Sequence, residues 1–235
     1  MLMVVKMCSM KTLSCVLLIF VASVQAGVAT PFRRTIQALT TELVVRQTYM
    51  HSSNRVVEVT AQDYPLVYEI ISRLATKAAI NRPLMFVITR RNKELSPQMN
   101  AFAVGGKYMS AIFVGQRLVE ELTAQELEGI LAHEIAHIQL GHVEFLFLSS
   151  LFLKKTAVAE LSQLLESEAD AQSVNLTGHK GICGGLQKLS DFLRKYKPFS
   201  AWYDDFWFNR LSFMHPRMAD RIEVINRRVV RQQVA

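Results

Sequence analysis

Cysteine is almost missing from this chain. Of 235 residues three are cysteines, and Cys8 and Cys15 fall near the N-terminus, leaving Cys183 alone in the remainder. One thiol excludes an intramolecular disulfide there, and no Cys pair offers a metal site. Core packing and any metal bound through other residues must hold the fold. Long apolar runs are also scarce. The stretch 143–153 is apolar but short and is closed by Lys154-Lys155, whereas a membrane span takes about 20 apolar residues; it reads as a buried helix. Repeats and low-complexity tracts are absent. So is any block of one charge. The net charge is +7, yet Arg and Lys come singly or in pairs such as Arg33-Arg34, Arg90-Arg91 and Arg227-Arg228. No basic motif of a nucleic-acid module occurs, so nucleic acid is not an expected partner. What remains is a solvated basic surface, compatible with peripheral association at a membrane.

The composition itself, 50% hydrophobic and 20% charged, is that of a folded globular protein. Lys6 and Lys11 precede an apolar run at 13–24 that ends in Val24-Gln25-Ala26. A basic start, a brief apolar segment and small residues at its end are the pattern of a cleaved secretory signal. The expectation is a signal peptide over 1–26, a mature domain over 27–235, and export to the periplasm. An anchor through residues 13–24 is the alternative.

Helical spacing of Ile36, Leu39, Leu43 and Val44 predicts a helix over 35–50, and Val67, Ile70, Ile71, Leu74 and Ala78 predict another over 65–80, stopped by Asn81-Arg82-Pro83. Residues 56–60 and 84–89 are β-branched and apolar, and 101–104 and 108–114 read as two strands joined across Gly105-Gly106. From Gln116 onward the pattern is mostly helical. The fold class is therefore α+β, a small β-sheet followed by a mainly helical body.

Thr123-Ala-Gln-Glu126 has the form of a capping box opening a helix that Gly141 is placed to end. Inside it stands His133-Glu134-Ile135-Ala136-His137. Histidines four apart project from one helix face, so both imidazoles can reach one tetrahedral ion, and the intervening Glu134 can hold a water bound to it. A catalytic zinc needs a third protein ligand and keeps its fourth position open. Residues 161–175 form another helical stretch carrying Glu166-Ser-Glu-Ala-Asp170. Glu166 and Asp170 share a face; Glu166 is the candidate ligand, and Asp170 the acceptor that orients a ligand histidine through its second ring nitrogen. Glu168 points elsewhere. The expected cofactor is one Zn2+ per chain.

These motifs resemble the zinc metallopeptidases of HtpX and the CAAX prenyl proteases, a gluzincin family, over about 100–225. Asn100-Ala101-Phe102 is similar to the family's Asn-Ala-Phe segment, which implies an edge strand beside the substrate cleft. His133 to His142 resembles its zinc helix, Glu166-Ser-Glu-Ala-Asp170 its Glu-x-x-Ala-Asp, and Met214-His215-Pro216 with Asp220-Arg221-Ile222 its late His-Pro segment. The resemblance implies a zincin-like metalloprotease fold, Glu166 as third ligand, and His215 as a hydrogen-bond donor to the developing oxyanion. The nearer likeness is to soluble exported bacterial members. One departure stands out: the family commonly places Ser-Arg just ahead of the third ligand, and here Ser162 is followed by Gln163.

The function expected is endopeptidase action on a polypeptide substrate, such as misfolded or envelope proteins, with Glu134 as general base. The alternative from another class is a non-proteolytic zinc-binding chaperone or assembly factor, against which an intact Glu134 argues. His142 and His179 read as structural or surface residues and His51 as outside the site. The aromatic stretch 198–209 reads either as a cleft lining or as core packing under a loop.

Overall fold

The computed structural model describes residues 34, 35, 38, 41, 42, 54–90, 99–106, 108–196 and 218–234. Of the expected helix over 35–50, the described positions are helical. The N-terminal apolar run, the aromatic stretch 198–209, His51 and His215 lie outside the described residues.

Strand β1 (Asn54–Glu58) is followed by helix α1 (Pro65–Lys77), β2 (Leu84–Arg90), β3 (Ala101–Gly105) and β4 (Ser110–Gly115). Proline opens α1, where its missing N–H costs no bond, and Val67, Ile70, Ile71 and Leu74 bury one face of it. The strands form one mixed sheet in the order β1-β2-β4-β3. β1 and β3 run antiparallel to their neighbours, while β2 and β4 are parallel. The expected 101–104 and 108–114 hairpin is the β3/β4 pair, Ala101 facing Val114 and Gly105 facing Ser110.

Alternation along the strands gives the sheet two apolar faces. Met85, Val87, Ile112 and Val114 join the main core with the helices. Phe86, Phe113 and Phe102, aligned by the register, stack in a row on the other side with centroids 5.1 and 4.8 Å apart. β4 is buried throughout, whereas the edge strand β3 is half-buried.

The helical body comprises α2 (Gln116–Glu121), α3 (Ala124–Leu140), α4 (His142–Phe152), α5 (Lys155–Thr177), α6 (Gly181–Tyr196) and α7 (Met218–Val234). α3 is its axle. The capping box forms as the sequence predicts: the Thr123 N–H donates to Glu126 Oε2 at 2.8 Å, and Thr123 Oγ1 accepts from the Glu126 N–H at 3.4 Å. From Gly129 to Ile138 every residue of α3 is buried, because β3, α1, α5 and α6 all pack on it. Gly129 permits the closest of these approaches: a Cβ there would sit 2.1 Å from the backbone nitrogen of Ile182 in α6.

Several elements differ from expectation: β1 spans 54–58 where 56–60 was expected, α1 ends at Lys77 before 80, and β4 spans 110–115 where 108–114 was expected. α5 begins at Lys155, well before 161, because nothing in Thr156-Ala-Val-Ala-Glu160 breaks a helix and Val158 is buried. The apolar stretch expected to be a buried helix is α4, but Phe145 is 49% exposed on it. Among the described residues no helix is long and apolar enough to cross a membrane.

Candidate metal centre

α3 and α5 pack side by side, and the site lies where they face each other. His133 and His137 sit one turn apart on α3, and their rings meet edge to face with centroids 4.5 Å apart. Their Nε2 atoms are 3.0 Å from each other. Glu166 on α5 brings Oε2 within 3.3 Å of His133 Nε2 and Oε1 within 3.3 Å of His137 Nε2. All three side chains are buried, and one ligand atom from each lies within 4.8 Å of the others.

These separations can be tested against what an ion needs. Zinc donors sit about 2.0–2.2 Å away, so at tetrahedral angles two of them are about 3.3–3.5 Å apart. The two histidine–carboxylate separations, 3.3 Å each, match that triangle, and the 3.0 Å between the nitrogens is a few tenths of an ångström shorter. Two neutral nitrogens and a carboxylate are also the donor set of a catalytic zinc with an open fourth position. The residues present fit the group.

The charge around the site points the same way. Burial opposes a charge on His133, but the carboxylates of Glu166 and Asp170 outweigh it and hold its pKa up at about 10. A pocket that retains a proton this firmly is built for positive charge, and a metal ion would displace that proton on binding. Asp170 lies on the far side of the ring, Oδ1 2.9 Å from His133 Nδ1, so Nε2 is left facing Glu166. Burial alone would raise the Asp170 pKa; the hydrogen bonds from Arg221 and His133 outweigh it and bring it down to about 2.

Arg221, on α7, was not singled out as a site residue from the sequence. Its Nε and Nη2 donate to the two oxygens of Asp170 at 2.8 and 2.7 Å, and Nη1 is 3.1 Å from Glu166 Oε2. Burial works against the guanidinium charge, yet Asp170, Glu166 and Glu134 push its pKa above the ordinary value. An arginine therefore supports the site although Gln163 stands where the related family commonly has one. It arrives from a helix fifty-odd positions later, and the only signal in the sequence was its place within the late Asp-Arg-Ile segment.

Glu134 is buried one position beyond His133 on α3. Glu168 points away from the triangle, as its place on α5 implied, and its Oε2 is 3.3 Å from His142 Nε2. His142 is itself buried, with Nδ1 3.2 Å from His137 Nδ1. His179, read as structural or surface, is half-buried, with Nε2 3.1 Å from Glu128 Oε2 and Nδ1 accepting from the Gly181 N–H at 3.0 Å. Asn100 is exposed immediately before β3, and its carbonyl accepts from the Gly115 N–H at 2.8 Å. Ala101 and Phe102 lie on β3, the edge of the sheet among the described residues, and β3 runs against α3 and α4.

Residues 60–156 match the sequence profile of peptidase family M48. This stretch is similar to the peptidases of that family. It carries the α3 histidines and Glu134 and stops short of Glu166, so the third ligand rests on the geometry described above. Among curated proteins, the chain is 37% identical over 89 residues to a protease HtpX homolog of Pelotomaculum thermopropionicum, covering 37% of this chain and 30% of that one. It is 39% identical over 82 residues to the homolog of Gemmatimonas aurantiaca, covering 34% and 27%, and 42% identical over 76 residues to that of Acaryochloris marina, covering 32% and 24%. The match thus spans less than a third of the length of these relatives. The crystal structure of S. mikatae Ste24p superposes with a TM-score of 0.50 at 19% identity, covering 95% of this chain and 66% of that one. The fold is therefore Ste24-like, a mostly helical domain with a four-stranded mixed sheet.

Proposed function

We propose that this protein is a zinc-dependent endopeptidase. The observation that carries the reading is the buried triangle of His133, His137 and Glu166 with Glu134 next to it on the same helix. A zinc ion held there supplies a Lewis acid for the scissile carbonyl and brings the pKa of water down to about 7. Glu134 accepts the proton of the attacking water on a carboxylate oxygen and delivers it to the nitrogen of the leaving amine. Asp170 fixes the His133 ring with Nε2 inward, and Arg221 fixes Asp170. The substrate lies extended along β3, where backbone groups of an edge strand pair with a peptide; the position of Asn100, Ala101 and Phe102 beside α3 supports this. His215 serves as the oxyanion donor in this reading, on the strength of the His-Pro resemblance.

The substrate class is misfolded or envelope proteins, and the chain is exported by cleavage after Ala26. The Lys6–Ala26 pattern supports export; N-terminal sequencing of the mature protein tests it, and a chain retaining residues 13–24 contradicts it.

The activity is tested by zinc analysis and casein hydrolysis on wild type and Glu134→Gln. Zinc in both, with hydrolysis lowered about 10²–10⁴-fold in the variant, is expected for a lost general base. Equal hydrolysis by the two overturns the assignment, and no hydrolysis by a zinc-loaded wild type favours the binding-module alternative.

A further inference from the structure

The two α3 histidines face inward through the same atom but are held from behind in different ways. His133 Nδ1 meets a carboxylate directly, Asp170 Oδ1 at 2.9 Å. His137 Nδ1 meets another imidazole, His142 Nδ1 at 3.2 Å, and the far nitrogen of that ring, Nε2, lies 3.3 Å from Glu168 Oε2. We propose that His142 and Glu168 form a positioning relay that fixes the tautomer and ring orientation of His137 for metal binding. The inference rests on the metal reading of the site and extends it to two residues outside the ligand triangle.

The proton inventory along the relay is self-consistent in one direction. A ligand that offers its Nε2 lone pair to an ion carries its proton on Nδ1. That N–H donates to His142 Nδ1, which must then be the acceptor, so the His142 proton sits on Nε2 and donates to the Glu168 carboxylate. Each of the three side chains is assigned one role, and the reverse direction would turn a proton, rather than a lone pair, toward Glu166.

The backbone is arranged to deliver this contact. Gly141 ends α3 in the left-handed region at φ 76° and at the same time caps α4. The chain reverses there, so that the first residue of α4 turns back on His137 five positions earlier, where a continued helix would carry it away. The His137 and His142 rings meet edge to face at 5.1 Å between centroids. α5 supplies the outer end: Glu166 and Glu168, two apart on a helix, point to different sides, one into the triangle and the other to His142. One helix thus supports His137 from both of its nitrogens.

Groups that orient a ligand histidine are worth about 10–100-fold in metal affinity, and the test reads that quantity directly by chelator competition for zinc. His142→Phe keeps a ring of similar volume and removes the acceptor; it should weaken zinc binding about 10–100-fold. His142→Asn, able to accept through its carbonyl and donate through its amide, should recover part of the loss. Glu168→Ala changes an exposed side chain and leaves the core intact, so it decides the matter even where His142→Phe fails to fold; it should weaken zinc binding in the same direction by a smaller factor, and add nothing when combined with His142→Phe. Wild-type affinity in Glu168→Ala and in whichever His142 variants fold overturns the relay. Failure of the wild type itself to bind zinc overturns the metal reading instead, so the two failures are told apart.

Discussion

Arg221 grips both oxygens of Asp170, Nε on Oδ2 at 2.8 Å and Nη2 on Oδ1 at 2.7 Å, while Asp170 holds Nδ1 of His133. The last helix of the chain is thereby tied to the metal helix through one carboxylate. Fork-to-carboxylate pairing fixes geometry as well as charge, and every member is buried, so each depends on the others for its place.

Removing the arginine should be costly. Arg221→Met removes one of the two cations held against the buried Asp170 and Glu166, leaving protonated His133 as the other, and breaking a buried pair costs up to about 3–5 kcal/mol. Urea denaturation of the metal-free variant should show that loss, with part of it recovered on adding zinc. Arg221→Lys should restore the charge but not the fork, leaving an intermediate stability. A loss below about 1 kcal/mol in the methionine variant would mean that α7 docks by its apolar face alone.

Stability in acid should carry the signature of Asp170. Its pKa is about 2 in the folded protein against an ordinary 3.8, so its contribution is fully present above the unfolded value and disappears as pH falls through about 2. The difference corresponds to about 2 kcal/mol. His133, held up at about 10, is protonated in both folded and unfolded chains below about pH 5 and adds no slope in that window. Denaturation of metal-free wild type and Asp170→Asn across this range should therefore converge as the pH drops. Parallel curves would remove Asp170 from the acid response.

Two glycines should respond differently to the same methyl group. At Gly129 a Cβ collides with the Ile182 backbone, so Gly129→Ala must push α6 off α3. At Gly141 the space is open but φ is 76°, so Gly141→Ala meets only backbone strain, about 1–2 kcal/mol. Thermal melts should rank Gly129→Ala as the more damaging. The reverse order would show that α6 can shift freely.

How much of this was legible in the sequence follows from how local each contact is. His133 and His137 are one helical turn apart, and spacing alone puts them on one face. The capping box and the β3/β4 hairpin are likewise short-range and formed as read. Glu166 required the argument that a third ligand must exist, because an acidic pair on a helix is ordinarily a solvated face. The parallel pairing of β2 with β4 left no local mark, since it depends on a crossover. Arg221 gave only its place in the Asp220-Arg221-Ile222 segment: a single arginine on an amphipathic helix looks like any surface charge until α7 packs on α5. His142 reads from the sequence as structural or surface, because a histidine just past a helix end has no fixed direction; only the left-handed turn at Gly141 sends it back to His137.

The central claim is that His133, His137 and Glu166 hold one zinc ion, and a crystal structure of the zinc-loaded protein with anomalous data at the zinc edge tests it most directly. The account predicts a single ion with Nε2 of both histidines at about 2.0–2.1 Å and a Glu166 oxygen at about 2.0–2.2 Å. Zinc bound elsewhere, or bound to the histidines with the Glu166 carboxylate turned away, would contradict it.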